Sequence, residues 1–309
     1  MVVSVVPSLG EAIVLQNECI EVTVRPDLGG RIDQLHDRRC GKNWLWHPAD
    51  YDAATRSLPL GASFDAHWTG GWDEMFPNDM AATFRGRTLV DHGELWSQAW
   101  TVVQQSPQMV HLRYACQTVP VQVEKIIHLN PTVAEAEIAY QFQNLSDETL
   151  PFLFKQHCAI AIEPGDEIVL PECLIEPVVL DFSTMIGQAG QTPFPQALAA
   201  DGSEIDLRYA QPHSSQLREF YYSSKLATGF CGIKSAHTAL TMRFDRADFP
   251  YVWVFQSYGG WNGHYVLMLE PCTTLPYDLE VADRNGTTAY LQPRQSQQRR
   301  LTVGLETFN

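Results

Sequence analysis

Hydrophobic and polar residues alternate along much of this chain, with the period of two that is typical of half-buried β-strands. The clearest run is VAEAEIAYQFQ (133–143), in which small, aliphatic and aromatic residues alternate with glutamate and glutamine. An Asn-Leu-Ser-Asp turn follows it at 144–147. No stretch keeps the i, i+3, i+4 spacing of an amphipathic helix over several turns. The pattern therefore predicts an all-β protein with few short helices.

Further strands are predicted where the alternation recurs or where turn residues bound a short apolar run. They are expected at 11–16, 19–24, 31–35, 100–104, 109–114, 121–128, 151–162, 167–170, 227–233, 238–244, 251–256, 263–270 and 299–306. Many short strands joined by Pro and Gly turns indicate a sandwich or a barrel. For 309 residues without a linker, repeat or low-complexity segment, we expect one domain over 1–309, a large antiparallel β-sandwich.

Two long stretches do not show this pattern. Residues 49–94 have little periodicity and many aromatic residues, which indicates an ordered and functional excursion over the sheet. Residues 172–222 are rich in proline and polar residues, and the pattern assigns no structure to them.

Composition narrows the class of partner. The net charge of −15, with no Lys/Arg run longer than two, argues against binding to nucleic acid or an anionic membrane. The amino terminus lacks the features of a signal peptide, and no run reaches the roughly 18 apolar residues that span a bilayer. Seven scattered cysteines without a CxxC pair indicate reduced thiols. We expect a cytoplasmic protein, either a monomer or a homodimer.

Acidic, imidazole and aromatic side chains concentrate between Gly70 and Trp100. Buried carboxylates need partners, so this mixture is unusual for a core. It suits a concave site for a polyol, where rings stack on apolar sugar faces and charged groups bind hydroxyls. Trp72, Trp96 and Trp100 are candidates for stacking on a ligand, although any single tryptophan is more often part of the core.

Three further positions are candidates for acid–base chemistry. His157 shares a predicted strand face with Lys155, beside small alanines, although a strand histidine is often simply solvated. Glu270 ends a largely apolar run, where desolvation raises a carboxyl pKa and makes a better base near neutrality; a rim carboxylate is the alternative. His92 lies between Asp91 and Glu94, either of which can orient its ring, unless the histidine is incidental to a turn.

Taken together, these motifs resemble the aldose 1-epimerase (galactose mutarotase-like) family. They occur in the family's order from residue 28 to about 280, and they are LGGRI (28–32), GGWDEMFP (70–77), DHGELW (91–96), His157 with the later Glu-Pro-Gly turn, and LEPCTT (269–274).

The resemblance implies a β-sandwich that interconverts the α and β anomers of a free aldose without a cofactor. By position, Glu270 matches the general base that removes the anomeric hydroxyl proton. His157 matches the acid that protonates the ring oxygen, and His92 matches the second histidine near that oxygen.

We expect the substrate to be a small-molecule sugar. Trp72 would stack on it, Asp73 and Glu74 would accept hydrogen bonds from its hydroxyls, and Lys155 and Lys225 would donate to them. Typical members carry an arginine just after the proline of the GGWDEMFP motif, whereas this chain has Asn78-Asp79 there. The sequence therefore leaves the sugar open, including modified and phosphorylated sugars.

Three other functions remain open. The first is a non-catalytic carbohydrate-binding or regulatory protein on the same fold. The second is a cupin-like isomerase with a metal held by His67, His92, Glu94 and His111, although their spacing does not resemble a compact ligand set. The third is a glycosidase in which Glu270 pairs with Asp73 or Glu74, because two carboxylates that flank a bond are sufficient.

Overall fold

The alternation in the sequence becomes short strands in the computed structural model of the chain, which describes residues 12–54 and 57–308. Residues 1–11, which include the first residue of the predicted strand 11–16 and most of the stretch considered as a signal peptide, lie outside the described residues. No helix within the described part is long and apolar enough to cross a membrane.

In chain order, the first fourteen strands are β1 (Ile13–Gln16), β2 (Ile20–Arg25), β3 (Arg31–Asp37), β4 (Lys42–Asn43), β5 (Trp72–Met75), β6 (Ala82–Phe84), β7 (Arg87–Leu89), β8 (Thr101–Ser106), β9 (Met109–Ala115), β10 (Val121–Leu129), β11 (Glu135–Asn144), β12 (Leu150–Phe152), β13 (Lys155–Ile160) and β14 (Glu167–Val169). They are followed by β15 (Leu174–Pro177), β16 (Thr192–Pro193), β17 (Gln196–Leu198), β18 (Glu204–Asp206), β19 (Leu217–Ser224), β20 (Phe230–Lys234), β21 (Thr238–Phe244), β22 (Tyr251–Tyr258), β23 (Tyr265–Cys272), β24 (Ala289–Leu291) and β25 (Ser296–Thr307).

Helices are few and short. The α-helices are α1 (Phe64–His67) and α2 (Leu279–Asn285), and single 3₁₀ turns lie at Leu180–Phe182 and His213–Ser215. Asp278 caps α2 by accepting hydrogen bonds from the backbone N–H groups of its first turn, and Gly286 ends the helix in the left-handed conformation.

Two large antiparallel sheets form the body of the fold. The front sheet has eleven strands in the order β1-β2-β3-β5-β13-β23-β22-β19-β15-β16, with β4 paired to β3. The back sheet has eight strands in the order β14-β20-β21-β25-β11-β10-β9-β8. Three two-stranded ribbons, β12-β24, β17-β18 and β6-β7, complete the described strands. The predicted antiparallel β-sandwich is therefore confirmed.

The core lies between the two sheets and contains polar groups as well as apolar ones. Gln156 of the front sheet accepts a hydrogen bond from the hydroxyl of Tyr140 in the back sheet. Glu74 forms an ion pair with Lys125 across the same space, with Oε1 and Nζ 2.6 Å apart and both side chains fully buried. Because side chains alternate along a strand, the neighbours Asp73 and His157 point to the other face of the front sheet, away from the back sheet.

Every strand predicted within the described residues has a counterpart, with ends displaced by a few residues. The prediction for 151–162 needs correction, because two strands lie there. The chain leaves β24 after β12 and joins β23 as β13, and the Thr273 side chain holds the step by accepting a hydrogen bond from the Phe154 N–H. The unassigned region 172–222 contains β15 to β19.

Candidate active site

The candidate site lies on the outer face of the front sheet, where β5, β13 and β23 run side by side. Asp73 pairs with His157 in the register of β5 and β13. On the other side of β13, Lys155 pairs with Cys272 and Cys158 with Leu269, which places His157 directly opposite Glu270. The strand register thus aligns the predicted acid and base, although 113 positions separate them along the chain.

A cavity of about 200 Å³ opens above this row. Its polar lining consists of Asp65, Asp79, His92, Lys155, His157 and Glu270. Its apolar lining consists of Phe64, Trp68, Phe182, Phe220, Phe255, Trp261 and Met268. The structure therefore brings together four of the predicted site residues, which are Glu270, His157, His92 and Lys155.

Glu270 lies at the floor of the cavity with only 1% of its surface exposed. Its Oε2 atom is 2.9 Å from the ammonium nitrogen of Lys155. Burial raises the pKa of Glu270 to about 7, although the charge of Lys155 opposes the rise. A carboxyl group with this pKa exchanges its proton readily near neutrality, which is what a general base requires.

Lys155 joins two carboxylates. Its Nζ atom lies 2.5 Å from Asp79 Oδ2, and it sits 4.3 Å from the centre of the Trp253 ring. Burial alone would lower the pKa of this amine, but the charges of Asp79 and Glu270 raise it above its ordinary value. Lys155 therefore stays an ammonium ion that is held by protein carboxylates, and it is not free to bind an anionic ligand.

His157 faces Glu270, with Nε2 3.7 Å from Oε1. The rings of Phe64 and Trp68 approach its imidazole edge-on, at centroid distances of 5.2 and 5.6 Å. Burial, and then the positive charges of Lys155 and His92, lower the pKa of His157 well below its ordinary value. The imidazole of His157 is therefore favoured in its neutral form, beside a carboxyl group whose pKa is raised to about 7.

His92 enters the cavity from a turn rather than a strand. Its ring stacks on Phe64, with 3.9 Å between centroids and 8° between planes, and its centroid is 6.4 Å from that of His157. Nδ1 lies 3.0 Å from Asp91 Oδ1, and this bond lowers the pKa of Asp91. The turn depends on the next residue, Gly93, because a Cβ there would lie 2.1 Å from the Phe76 carbonyl oxygen.

Glu94, the other carboxylate considered as a partner for His92, has a different role. It is fully buried and accepts hydrogen bonds from the Tyr114 hydroxyl, the Gln117 N–H and both donors of Thr118. It fixes the turn to the back sheet, and it is Asp91 that contacts the imidazole.

Four of the predicted substrate-binding residues lie outside the cavity lining. Trp72 and Glu74 are fully buried and face the back sheet, where Trp72 donates to Gln156 and Glu74 binds Lys125. Asp73 shares the face of His157 but is 1% exposed, and neither of its oxygens has a hydrogen-bond partner. Lys225 lies exposed beyond the end of β19. We therefore leave these four residues out of the proposed binding set.

Most of the apolar lining was missed by sequence reasoning, as was Asp79. Phe64, Trp68 and Asp79 lie in the excursion that is predicted to be functional, but no individual signal marks them. Phe182 and Phe220 lie in the unassigned region.

The structure does not assemble the predicted metal ligands. His111 binds Glu124, with Nε2 2.8 Å from Oε2, whereas Glu94 holds the turn described above. Within residues 12–54 and 57–308, no group of three or more His, Cys, Asp or Glu can hold a metal ion. For the glycosidase hypothesis, Glu74 points away from Glu270, and Asp73 lies outside the cavity lining.

Solved structures share this fold over nearly the whole chain. The Slr1438 protein from Synechocystis aligns with a TM-score of 0.71 and 15% identity, covering 99% of both chains. A proposed aldose 1-epimerase from Escherichia coli aligns with a TM-score of 0.66 and 16% identity, covering 96% of this chain and 99% of that one. A galactose mutarotase related enzyme from Lactobacillus acidophilus gives 0.67 and 14%, covering 97% and 98%.

No family model matches the sequence, and no curated protein matches it. The structural likeness therefore establishes the fold, which is that of the galactose mutarotase-like proteins. The predicted resemblance to the aldose 1-epimerase family is confirmed at this level.

Proposed function

We propose that this protein is an aldose 1-epimerase, an isomerase that interconverts the α and β anomers of a free sugar in the cavity above β13 and β23. One observation carries the proposal. Glu270 and His157 face each other in register on adjacent strands, 3.7 Å apart, on the floor of an aromatic cavity. The fold shared with proposed epimerases and mutarotase-related proteins supports it.

The reaction needs two proton transfers at the anomeric centre. The Glu270 carboxylate removes the proton from O1, and the O1 electrons form the C1=O1 carbonyl as the C1–O5 bond breaks. His157, in its protonated form, gives its Nε2 proton to O5. Rotation about C1–C2 exposes the other carbonyl face, and the same two groups reverse their roles to close the ring. Each transfer contributes roughly 10²–10⁴-fold to the rate.

The neighbouring residues prepare the pair for these transfers. The ammonium of Lys155, 2.9 Å from Glu270, favours the ionised carboxylate that acts as the base. His92 lines the same cavity beside His157, where its ring nitrogen can bond to O5 or to a neighbouring hydroxyl. Phe64 and Trp68 provide apolar ring faces and edges for the C–H surface of a pyranose.

The test is anomer exchange measured by NMR saturation transfer on a panel of free sugars. Glu270→Gln and His157→Asn remove the base and the acid with little change in volume, and we expect each to lower exchange by at least 100-fold. Glu172→Gln, an exposed change outside the cavity lining, is the control and should retain full exchange. Wild-type exchange rates in Glu270→Gln or His157→Asn would refute the proposal.

A non-catalytic sugar-binding protein is the second candidate. It is favoured by the lowered pKa of His157, because a neutral imidazole beside a carboxylate held by Lys155 can bind hydroxyls without transferring protons. This candidate predicts that sugars bind to wild type and Glu270→Gln with similar affinity and that neither protein accelerates exchange over buffer.

A further inference from the structure

The cavity has two chemically different halves. The acidic, basic and imidazole groups come from α1, the segment between β5 and β6, the turn after β7, β13 and the end of β23. The opposite half is built from the 3₁₀ turn Leu180–Phe182, β19, β22 and the loop after β22, and it contributes Phe182, Phe220, Phe255 and Trp261. We call these four residues, together with Met268, the apolar wall.

The register places the apolar wall at a definite distance from the reacting groups. Met268 is two residues before Glu270 on β23 and therefore points to the same face, about 7 Å along the strand. Phe255 pairs with Met268, and Phe220 pairs with Phe255, so this row extends over two further strands. The wall consequently lies beyond a sugar ring whose C1 is at Glu270 and His157.

The four aromatic residues of the apolar wall form a continuous surface. The Phe255 ring lies 5.6 Å from Phe182, 5.7 Å from Phe220 and 5.3 Å from Trp261, measured between centroids. None of the side chains in the wall carries a hydroxyl, amide or charged group. Their one hydrogen-bond donor is the indole N–H of Trp261. A ligand hydroxyl placed against this surface would lose its bonds to water without gaining new ones, which is unfavourable.

The charges exclude an anionic substituent. Among the described residues that line the cavity, none is an arginine, and the single lysine is already held by Asp79 and Glu270. Arg218 stacks on Phe182 at 4.6 Å but does not line the cavity, and its guanidinium donates to the carbonyls of Phe182 and Gly260. A phosphate would therefore lie among carboxylates without a free cation.

We propose that the substrate is a neutral 6-deoxyhexose, whose C6 methyl group contacts the apolar wall while C1 lies between Glu270 and His157. This inference rests on the proposed anomer exchange at the same pair. A volume of about 200 Å³ is below the roughly 300–1,000 Å³ of pockets for larger ligands, which favours a single sugar ring. The methyl group gains contact with aromatic rings, whereas a C6 hydroxyl or phosphate is left unpartnered.

The experiment compares sugars that differ only at C6. Anomer exchange is measured with D-glucose, 6-deoxy-D-glucose and D-glucose 6-phosphate, and again in the galacto series with D-galactose and D-fucose. In at least one series, we expect kcat/KM for the 6-deoxy sugar to exceed that for the parent hexose by at least tenfold, and no detectable exchange of the 6-phosphate. Equal or better exchange of the parent hexose or the phosphate would overturn the inference while leaving the epimerase proposal intact.

A variant of Phe255 tests whether the apolar wall causes the preference for the 6-deoxy sugar. Phe255→Tyr adds one hydroxyl to the wall, and we expect it to reduce the preference for the 6-deoxy sugar over the hexose at least fivefold by giving the C6 hydroxyl a partner. The exposed change Glu172→Gln, which lies outside the cavity lining, is the control and should leave the preference unchanged.

Binding separates failure of the inference from failure of the proposed function. If no sugar shows Glu270-dependent exchange, the epimerase proposal fails. Dissociation constants of the same sugars, measured by calorimetry with the wild-type protein, then show separately which class of sugar the cavity binds. Tenfold tighter binding of a 6-deoxy sugar would still support the inference, and equal affinities or no binding of any 6-deoxy sugar would overturn it.

Discussion

At the scale of single residues, the proposed reaction requires one proton on a pair of buried groups. Glu270 has its pKa raised to about 7, while that of His157 is lowered well below its ordinary value. The form that the proposed reaction requires has Glu270 ionised and His157 protonated. It contains the same number of protons as the more stable form with a neutral carboxyl and a neutral imidazole, so the two forms interconvert by transfer within the pair.

This arrangement predicts an unusual pH profile. Because the pair must keep one proton, we expect exchange to fall as pH rises through about 7, the pKa of Glu270, by about tenfold per pH unit beyond it. The measurement is kcat/KM for anomer exchange between pH 5 and 9, with the rate of the Glu270→Gln variant subtracted. Activity that continued to rise through pH 8 would contradict the requirement that the pair keep one proton.

The same pH profile, measured for the Lys155→Met variant, tests the role of Lys155. The charge of Lys155 lowers the pKa of Glu270, so its loss should raise that pKa and move the alkaline limb to higher pH by at least one unit. A residue with a purely structural role would reduce the rate without moving the limb. An unmoved limb would therefore contradict the view that Lys155 sets the ionisation of the base.

The sequence allowed Glu270 and His157 to be predicted as an acid–base pair, but not the shape of the cavity around them. Glu270 and His157 could be selected from the sequence because a polar residue on an apolar strand is conspicuous. The desolvation of Glu270 could be predicted from the apolar run that it ends. The contact of Asp79 with Lys155 joins positions 76 residues apart, which no local pattern reveals. Phe182 and Phe220 belong to the unassigned region, where short strands without alternation give no periodic signal.

At the scale of elements, β5 is a central strand that the sequence pattern did not predict. Its sequence WDEM contains two adjacent acids, and this composition indicates a loop over the sheet. In the structure all four residues are buried, and the charge of Glu74 is balanced by Lys125 on the facing sheet. Lys125 occupies one of the buried positions that alternate along β10. Its ammonium group donates to Glu74 and also to the Gly30 carbonyl oxygen 3.0 Å away.

The Glu74–Lys125 pair should therefore stabilise the docking of the two sheets. Removing one partner leaves the other charge buried without compensation, so we expect Lys125→Met or Glu74→Gln to lower the free energy of unfolding by about 3–5 kcal/mol. The double variant should lose less than the sum of the single losses. Urea denaturation of the four proteins at pH 7.5 gives the coupling energy, and strictly additive losses would show that the two charges do not interact.

At the scale of the whole molecule, the β-sandwich carries a row of polar residues on the outer face of its front sheet. The all-β class could be predicted because alternation is local. The order β5-β13-β23 could not, because it pairs segments that lie about 80 to 110 residues apart and depends on register between them. That order alone places Asp73, His157 and Glu270 side by side, so the site is a property of topology more than of any motif.

The same row makes the stability of the fold depend on pH. Burial raises the pKa of Asp73 from 3.8 to about 7, although the charge of Arg31 opposes the rise. Between these values the folded protein binds more protons than the unfolded chain, so stability from this group is complete below about pH 4 and is lost as pH rises through about 7. One pKa unit corresponds to about 1.4 kcal/mol, so the full loss across both pKa values is on the order of 4 kcal/mol.

Asp73→Asn should remove this dependence, because an amide of the same shape stays neutral. We expect the unfolding free energy of wild type, minus that of Asp73→Asn, to fall by on the order of 2–4 kcal/mol between pH 4.5 and pH 8. Urea denaturation at several pH values measures this difference, with the exposed Glu172→Gln as a control that should show no such slope. A difference that rose with pH would mean that Asp73 is stabilised as a carboxylate by Arg31, and the row would then be an ion-pair network rather than a desolvated one.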